Sequence, residues 1–285
     1  MPSLIDIRRR IRSVKNTQQI TKAMKMVSAA KLRRAQERVV AARPYGAMLR
    51  RVLSNVAAAA AGNEEIANSP LLKDRPERRI QVVLFTSDRG LAGAFNGNLL
   101  KATQKFIAEH PDATVELELI GRKGRDFFRR RTFPISGDHI GILNKPAYAD
   151  ASAIAAKIIQ RFENDEIDAV YIINNEFKSV ISQNLIVNKV LPVAAPEGEP
   201  IDYIFEQPVE QLMASLLPKY VEVQVYTAMI ETAAAEHAAR MTAMDSATSN
   251  AGDVIDTLTL YMNRVRQASI TREIIEVVSG ASALE

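Results

Sequence analysis

The chain of 285 residues contains no cysteine and no tryptophan, and only 6% of its residues are aromatic. The absence of cysteine excludes disulfide frameworks, iron–sulfur clusters, thiolate zinc sites and cysteine nucleophiles, and it favours a reducing compartment. The sequence also lacks a run of roughly 18 to 20 apolar residues that could span a bilayer, and its N-terminus lacks the apolar core of a signal peptide. We therefore expect a protein that is cytosolic or peripheral to a membrane.

Side chains that could bind a metal ion or carry out catalysis are scarce. The three histidines, His110, His139 and His237, are far apart, and none has a carboxylate or a second histidine at a spacing typical of metal ligands. No serine stands in a G-x-S-x-G motif. We therefore expect no catalytic residue, no metal and no cofactor in this chain, and we interpret His237 as a core residue.

Glycine recurs in TSDRGLAGAFNGN, residues 86–98, between a predicted strand and a predicted helix. Backbone amides in such a position could cradle a phosphate group. The spacing, however, fits neither G-x-G-x-x-G nor G-x-x-x-x-G-K-[ST], so nucleotide binding by either loop is not indicated. We interpret the segment as a tight turn between strand and helix, held by Asp88 and Arg89.

Positive charge is concentrated near the N-terminus. Residues 8–36 contain ten basic side chains and no acidic one, whereas the remaining 27 Lys and Arg are outnumbered by all 33 Asp and Glu. Such a segment is either a solvated helical face or a surface for an acidic partner: nucleic acid, anionic lipid or an acidic protein. The basic residues are Arg8, Arg9, Arg10, Arg12, Lys15, Lys22, Lys25, Lys31, Arg33 and Arg34.

The N-terminal segment has the pattern of a long helix in a coiled coil, because apolar or small residues recur at alternating steps of three and four. In the middle of this seam the apolar residues move to another face, at Ile20, Met24 and Val27, where the helix could contact something other than its first partner. Gly62-Asn63 is expected to end the helix. The seam comprises Leu4, Ile7, Ile11, Val14, Gln18, Thr21, Lys25, Ser28, Leu32, Ala35 and Val39.

A second seam follows Pro218, and thirteen of its sixteen positions are apolar or alanine. Arg240 and Arg272 occupy positions where a two-stranded coil would place a hydrophobic residue. Burying them is costly unless they find anionic partners, either within the chain or on another chain. The seam comprises Val223, Tyr226, Ile230, Ala233, His237, Arg240, Met244, Ala247, Ala251, Val254, Leu258, Tyr261, Val265, Ala268, Arg272 and Ile275.

The middle of the chain alternates strand-like and helical stretches, which predicts an α/β domain with a largely parallel, Rossmann-like sheet. We expect three segments: an N-terminal coiled-coil helix over 1–61, an inserted α/β domain over 75–205, and a C-terminal coiled-coil helix over 209–285. The two terminal helices would pair antiparallel as one discontinuous rod. The predicted strands are Ile80–Phe85, Val115–Ile120 and Ala169–Ile173, and the predicted helices lie near Asn98–Glu109, Gly124–Arg131 and Ala149–Asn164.

Three segments carry a recognisable family pattern: IRSVKNTQQITKAMKMVSAAKLRRAQ at 11–36, TSDRGLAGAFN at 86–96, and the sequence from EHAARM to ASAL at 236–284. They closely resemble the gamma subunits of bacterial rotary, F-type ATP synthases. The third contains the family pattern I-T-x-E-x-x-E-x-x-x-G-A, beginning at Ile270. Many relatives have cysteine where this chain has Ala92, so that thiol regulation is not available to it.

The resemblance implies a central rotor shaft that transmits torque between the membrane ring of c subunits and the catalytic beta subunits. The paired helices would stand inside a ring of three alpha and three beta subunits, with the α/β domain near the epsilon subunit and the c ring. One copy would serve each proton- or sodium-translocating complex. The chain would be a non-catalytic subunit, peripheral to the cytoplasmic face of the bacterial cell membrane.

The resemblance also implies residues that contact the surrounding subunits. Met24, Lys25 and Arg240 would lie in the region that meets an acidic segment of beta. Arg266 and Gln267, supported by Thr271 and Glu273, would contact a loop of the empty beta subunit.

Two other classes of protein remain as alternatives. One is a coiled-coil protein that binds nucleic acid or a membrane surface through the basic N-terminal helix, but nucleic-acid binding would call for aromatic stacking platforms or many phosphate contacts. The other is a dehydrogenase-like enzyme built on the α/β insert, which lacks the glycine fingerprint of that class.

Overall fold

The computed structural model describes residues 3–59, 69–180, 182–194 and 207–282. The predicted end of the first helix at Gly62-Asn63 lies outside this part of the chain. In chain order the elements are α1 Leu4–Ala59, β1 Arg79–Phe85, α2 Phe95–Glu109, β2 Thr114–Ile120, α3 Arg122–Phe128, β3 Ile135–His139, a 3₁₀ turn Ile142–Asn144, α4 Tyr148–Glu163, β4 Ala169–Phe177, β5 Gln183–Leu191 and α5 Val209–Ser282.

The chain divides into two compact units. Met1–Ser28 and Met241–Glu285 form one, here called the terminal unit, and Ala29–Arg240 forms the other, here called the central unit. Each unit contains part of α1 and part of α5, and the sheet lies in the central unit.

In the terminal unit the two helices run antiparallel, because Thr21 contacts Thr248 while Lys25, further along α1, contacts the earlier residue Asp245. The seam of α1 is buried or half-buried at each of its positions from Leu4 to Ser28. Helical geometry places Leu4 opposite roughly residue 265 of α5. The last turns of α5 therefore extend past their partner, and residues 271–279 are exposed.

In the central unit α1 and α5 also pair antiparallel. Arg43 contacts Glu231, and a Cβ on Gly46 would lie 3.8 Å from the earlier residue Val223. The seam side chains of Leu32 and Val39 are buried. The predicted fold class, antiparallel terminal helices with an inserted α/β domain, is confirmed.

The sheet has five strands in the order β3-β2-β1-β4-β5. The pairs β1–β2, β1–β4 and β2–β3 are parallel, and β4–β5 is antiparallel. The central strand β1 is buried from Ile80 to Phe85, as the continuous apolar run predicts. The three predicted strands are present, whereas β3 and β5, at the two edges of the sheet, were not predicted.

The hydrophobic core of the central unit joins the sheet to α4, to the start of α5 and to the end of described α1. Its fully buried side chains include Phe85, Ile120, Phe162, Leu53 and Val225. Apolar burial of this kind is the main source of folding free energy. The insert and this part of the two long helices therefore share one core.

Candidate functional site

The polar stretch of the α1 seam is satisfied within the terminal unit. Thr21 Oγ1 lies 2.8 Å from Thr248 Oγ1, and Gln18 Nε2 donates to the carbonyl of Thr248 at 3.3 Å. Lys25 Nζ lies 2.6 Å from Asp245 Oδ1. These side-chain contacts fix the register of the two helices at this level, as polar residues at core positions of coiled coils do.

Apolar side chains on another face of the same stretch are left exposed. Ile20 is 60% exposed, Met26 66% and Val27 57%, while Met24 is half-buried. Lys22, one helical turn from Met26, is exposed as well. A face that combines apolar and basic groups suits a partner with apolar and acidic groups.

The turn between β1 and α2, residues 86–94, is held by short polar side chains. Ser87 donates through its backbone N–H and its hydroxyl to Asn96 Oδ1, each at 3.0 Å. The Asp88 carboxylate accepts the backbone N–H groups of Arg122 and Gly141, each at 3.0 Å. Asp88 thus ties the turn to the start of α3 and to the loop after β3, in keeping with the role predicted for it.

Arg240 reaches this turn from α5. Its guanidinium donates to the carbonyl of Gly90 at 3.2 and 3.3 Å and to that of Arg89 at 3.3 Å. It also pairs with Glu236 at 2.6 Å, with both side chains only 9% exposed. Burial raises the pKa of Glu236, although Arg240 favours its charged form. The sequence left open whether the anionic partner of Arg240 lies within the chain or on another chain. The structure provides one within the chain, Glu236.

A second junction between a long helix and the sheet was not predicted from the sequence. Glu231 of α5 is 4% exposed. Its carboxylate accepts from Arg43 Nε and Nη2 at 3.1 and 3.0 Å, and from the backbone N–H of Phe177 at 2.8 Å. Arg43 also donates to the carbonyl of Phe177 at 2.7 Å. The sequence feature that could have indicated this junction is an acidic residue, Glu231, next to the alanine-rich run after Ile230.

The predicted contact residues near the C-terminus lie on the exposed part of α5. Arg266, Gln267, Thr271 and Glu273 are all exposed, and Thr271 Oγ1 donates to the carbonyl of Gln267 at 3.0 Å. Arg272 is exposed as well, so that it carries no burial cost. The terminal unit holds these four residues together with Met24 and Lys25, whereas Arg240 belongs to the central unit.

Neither a metal centre nor a membrane span is found in the part of the chain that the structure describes. No group of three or more His, Asp or Glu side chains there could hold a metal ion. None of the helices over the described ranges is long and apolar enough to cross a bilayer.

Comparisons with known proteins agree with this architecture. The family model described as ATP synthase matches residues 3–284. The chain is 65% identical to the ATP synthase gamma chain of Solibacter usitatus and 52% identical to that of an Anaeromyxobacter species, over all of both chains in each case.

Solved structures share the fold. The rotor of the Euglena gracilis mitochondrial ATP synthase matches with a TM-score of 0.66 at 22% identity, over 94% of this chain and 98% of that one. The central stalk of the Tetrahymena thermophila mitochondrial ATP synthase matches with a TM-score of 0.60 at 24% identity, over 80% and 99%. The predicted family is confirmed: the chain belongs to the ATP synthase gamma chain family.

Proposed function

We propose that this chain is the central rotor shaft of a proton- or sodium-translocating ATP synthase. It transmits torque between the membrane c ring and the catalytic beta subunits during ATP synthesis and hydrolysis. Family membership supports the role, and the observation that carries it is the terminal unit. There, an antiparallel helix pair satisfies its own polar seam but keeps apolar and basic side chains on the outside.

The partners of the shaft are three alpha and three beta subunits, one epsilon subunit and the c ring, with one copy of this chain per complex. The chain itself is non-catalytic, and it is peripheral to the cytoplasmic face of the bacterial cell membrane. We also propose that the chain is organised as a coiled-coil helix over 1–61, an inserted α/β domain over 75–205 and a second coiled-coil helix over 209–285.

Assembly is tested by co-expression of this chain with alpha, beta and epsilon subunits of the same source. We expect one stable complex in which this chain is present once per three alpha–beta pairs. The exposed apolar side chains Ile20, Met26 and Val27 would be covered in it, which favours association. A chain that stayed apart from alpha and beta under these conditions would contradict the proposal.

The residues that meet the surrounding subunits are proposed to be Met24, Lys25, Arg266, Gln267, Thr271 and Glu273. Exposure of the last four supports this, because no described residue of the terminal unit uses their side chains as core contacts. Arg240 is buried and bonded to the turn at Arg89 and Gly90, which supports a role that acts through that turn.

A double variant tests the C-terminal contact. Arg266→Ala with Gln267→Ala should change steady-state ATP hydrolysis in the assembled complex, because each charge-assisted hydrogen bond that they form with beta contributes roughly 1.5 to 3 kcal/mol. The matched control is Arg272→Ala, an exposed arginine of the same helix that faces another side than both Arg266 and Gln267. Unchanged turnover in the double variant, or an equal change in the control, would remove both residues from the contact.

A further inference from the structure

A cavity in the central unit has a lining that contains basic but no acidic side chains. Its volume is about 330 Å³, and it lies between α1, α5 and the loop around Lys145. The lining residues are Lys31, Arg34, Ala35, Arg38, Leu143, Asn144, Lys145, Pro146, Ile230, Ala233 and His237. We refer to it as the basic cavity.

The four cations of the basic cavity are on exposed residues, and none of them has an acidic side chain of the described chain in direct contact. Among the described residues, no ion pair or hydrogen bond is found for the side chains of Lys31, Arg34, Arg38 or Lys145. Two other cavities of the same unit differ in this respect. One pairs Arg79 with Asp168 at 2.7 Å, and the other pairs Arg161 with Glu116 at 2.8 Å.

The apolar part of the lining strengthens the field of these four cations. Leu143, Ile230 and Ala233 form low-dielectric walls, which focus an electrostatic potential toward the open side of a cleft. Arg34 and Arg38 stand one turn apart on the same face of α1, where two guanidinium groups can bind the oxygens of one phosphate-bearing ligand.

The histidine of the cavity adds an independent observation. His237 Nδ1 is buried and has no hydrogen-bond partner. Burial, together with the nearby Arg240 and Lys31, lowers the pKa of His237 to about 4. The charged groups around His237 are Lys31 on α1 and Glu236 and Arg240 on α5, and Glu236 is already bonded to Arg240.

We propose that the basic cavity is a binding site for a small anion with two phosphate groups. Four unpaired cations around one apolar floor match a diphosphate in charge, and the volume exceeds what a single phosphate needs. Arg34 and Arg38 bind the phosphate oxygens, and Lys31 and Lys145 neutralise the remaining charge. None of the lining residues of this site is among those proposed to meet the beta subunits.

The test measures binding of inorganic pyrophosphate to the full chain at physiological salt by titration calorimetry. We expect saturable binding with a stoichiometry of one, weakened at least tenfold by Arg34→Ala with Arg38→Ala. The matched control is Arg8→Ala with Arg12→Ala, which removes the same charge at the same spacing from exposed positions of the same helix. No saturable binding, or equal weakening in the control, would overturn the proposal.

A second measurement is made on the wild-type chain, in which the cavity is unchanged. The imidazole signal of His237, identified by its loss in His237→Gln, is followed against pH by NMR with and without pyrophosphate. A bound diphosphate offsets the positive charge of Lys31 and Arg240 and should raise the pKa of His237. An identical titration curve in both conditions would overturn the assignment to this cavity.

Discussion

Four ionisable side chains lie within ten residues of α5, and they are accommodated in three ways. Glu231 is paired with Arg43 and with a backbone N–H, and Glu236 and Arg240 are paired with each other. His237 has no such partner and remains neutral. Buried charges require partners because desolvation otherwise costs several kcal/mol, whereas a histidine can give up its proton instead.

The neutral His237 predicts a pH dependence of stability. Its pKa is about 4 in the folded chain and about 6.5 in the unfolded chain, so that between these values the unfolded chain binds a proton that the folded chain does not. The free energy of unfolding should therefore fall as the pH decreases from about 6.5 to about 4, by about 2 kcal/mol between pH 7 and pH 5.

Denaturant unfolding of the full chain at these two pH values measures the effect. His237→Gln should remove most of this fall, while the matched variant His110→Gln should retain it. If the wild-type chain and His237→Gln lost the same stability on acidification, neutral burial of His237 would not be its cause.

At the scale of elements, a helix or strand could be predicted when its own residues form a periodic or continuous apolar pattern. The α1 seam was predictable because periodic residues such as Ile7, Leu32 and Val39 face the partner helix. Strand β1 was predictable from its continuous apolar run. The contact residues Met24 and Arg266 came from resemblance to a family, because a contact with another chain leaves no periodic pattern in the sequence.

Strand β3, of sequence ISGDH, was not predictable because it contains a single apolar residue and its backbone pairs with the distant strand β2. Glu118 of β2 accepts from His139 Nε2 and from Ser136 Oγ, each at 2.8 Å. Burial by itself would raise the pKa of Glu118, but these hydrogen bonds bring it below the usual value. A Cβ on Gly137 would overlap the Glu118 carboxylate, so that a larger residue there would displace this carboxylate from its hydrogen bonds.

The carboxylate of Glu231 accepts hydrogen bonds from Arg43 and from the backbone N–H of Phe177. We therefore expect this one buried carboxylate to stabilise the packing of α5 against the sheet. Glu231→Ala leaves the N–H of Phe177 without its acceptor and should lower the free energy of unfolding by about 1 to 3 kcal/mol. Arg43, which is half-exposed, can regain water and limits the loss. Glu231→Gln, which keeps an acceptor oxygen, should lose less.

Denaturant unfolding measures these values, with Asp256→Ala as the control on an exposed position of the same helix. The control should stay within about 0.5 kcal/mol of the wild type. Equal stability of Glu231→Ala and the control would show that the junction contributes nothing to the fold.

At the scale of the whole molecule, the two junctions tie the long helices to the sheet within the central unit. One runs through Glu231 to Phe177, and the other runs through Arg240 to the turn at Gly90. A shaft must carry a twisting load between its ends without slipping, and buried, charge-assisted hydrogen bonds resist such slipping better than exposed ones. This is the physical link between the fold and the proposed role.

Rotation of this chain inside the assembled complex tests the central claim most directly. Because the chain has no cysteine, Lys101→Cys on the exposed side of α2 creates a unique attachment point for a bead. With the alpha and beta subunits fixed to a surface, ATP should drive stepwise rotation of the bead in one direction, at a rate that follows ATP hydrolysis. Hydrolysis at an unchanged rate while the bead stays still would contradict the account.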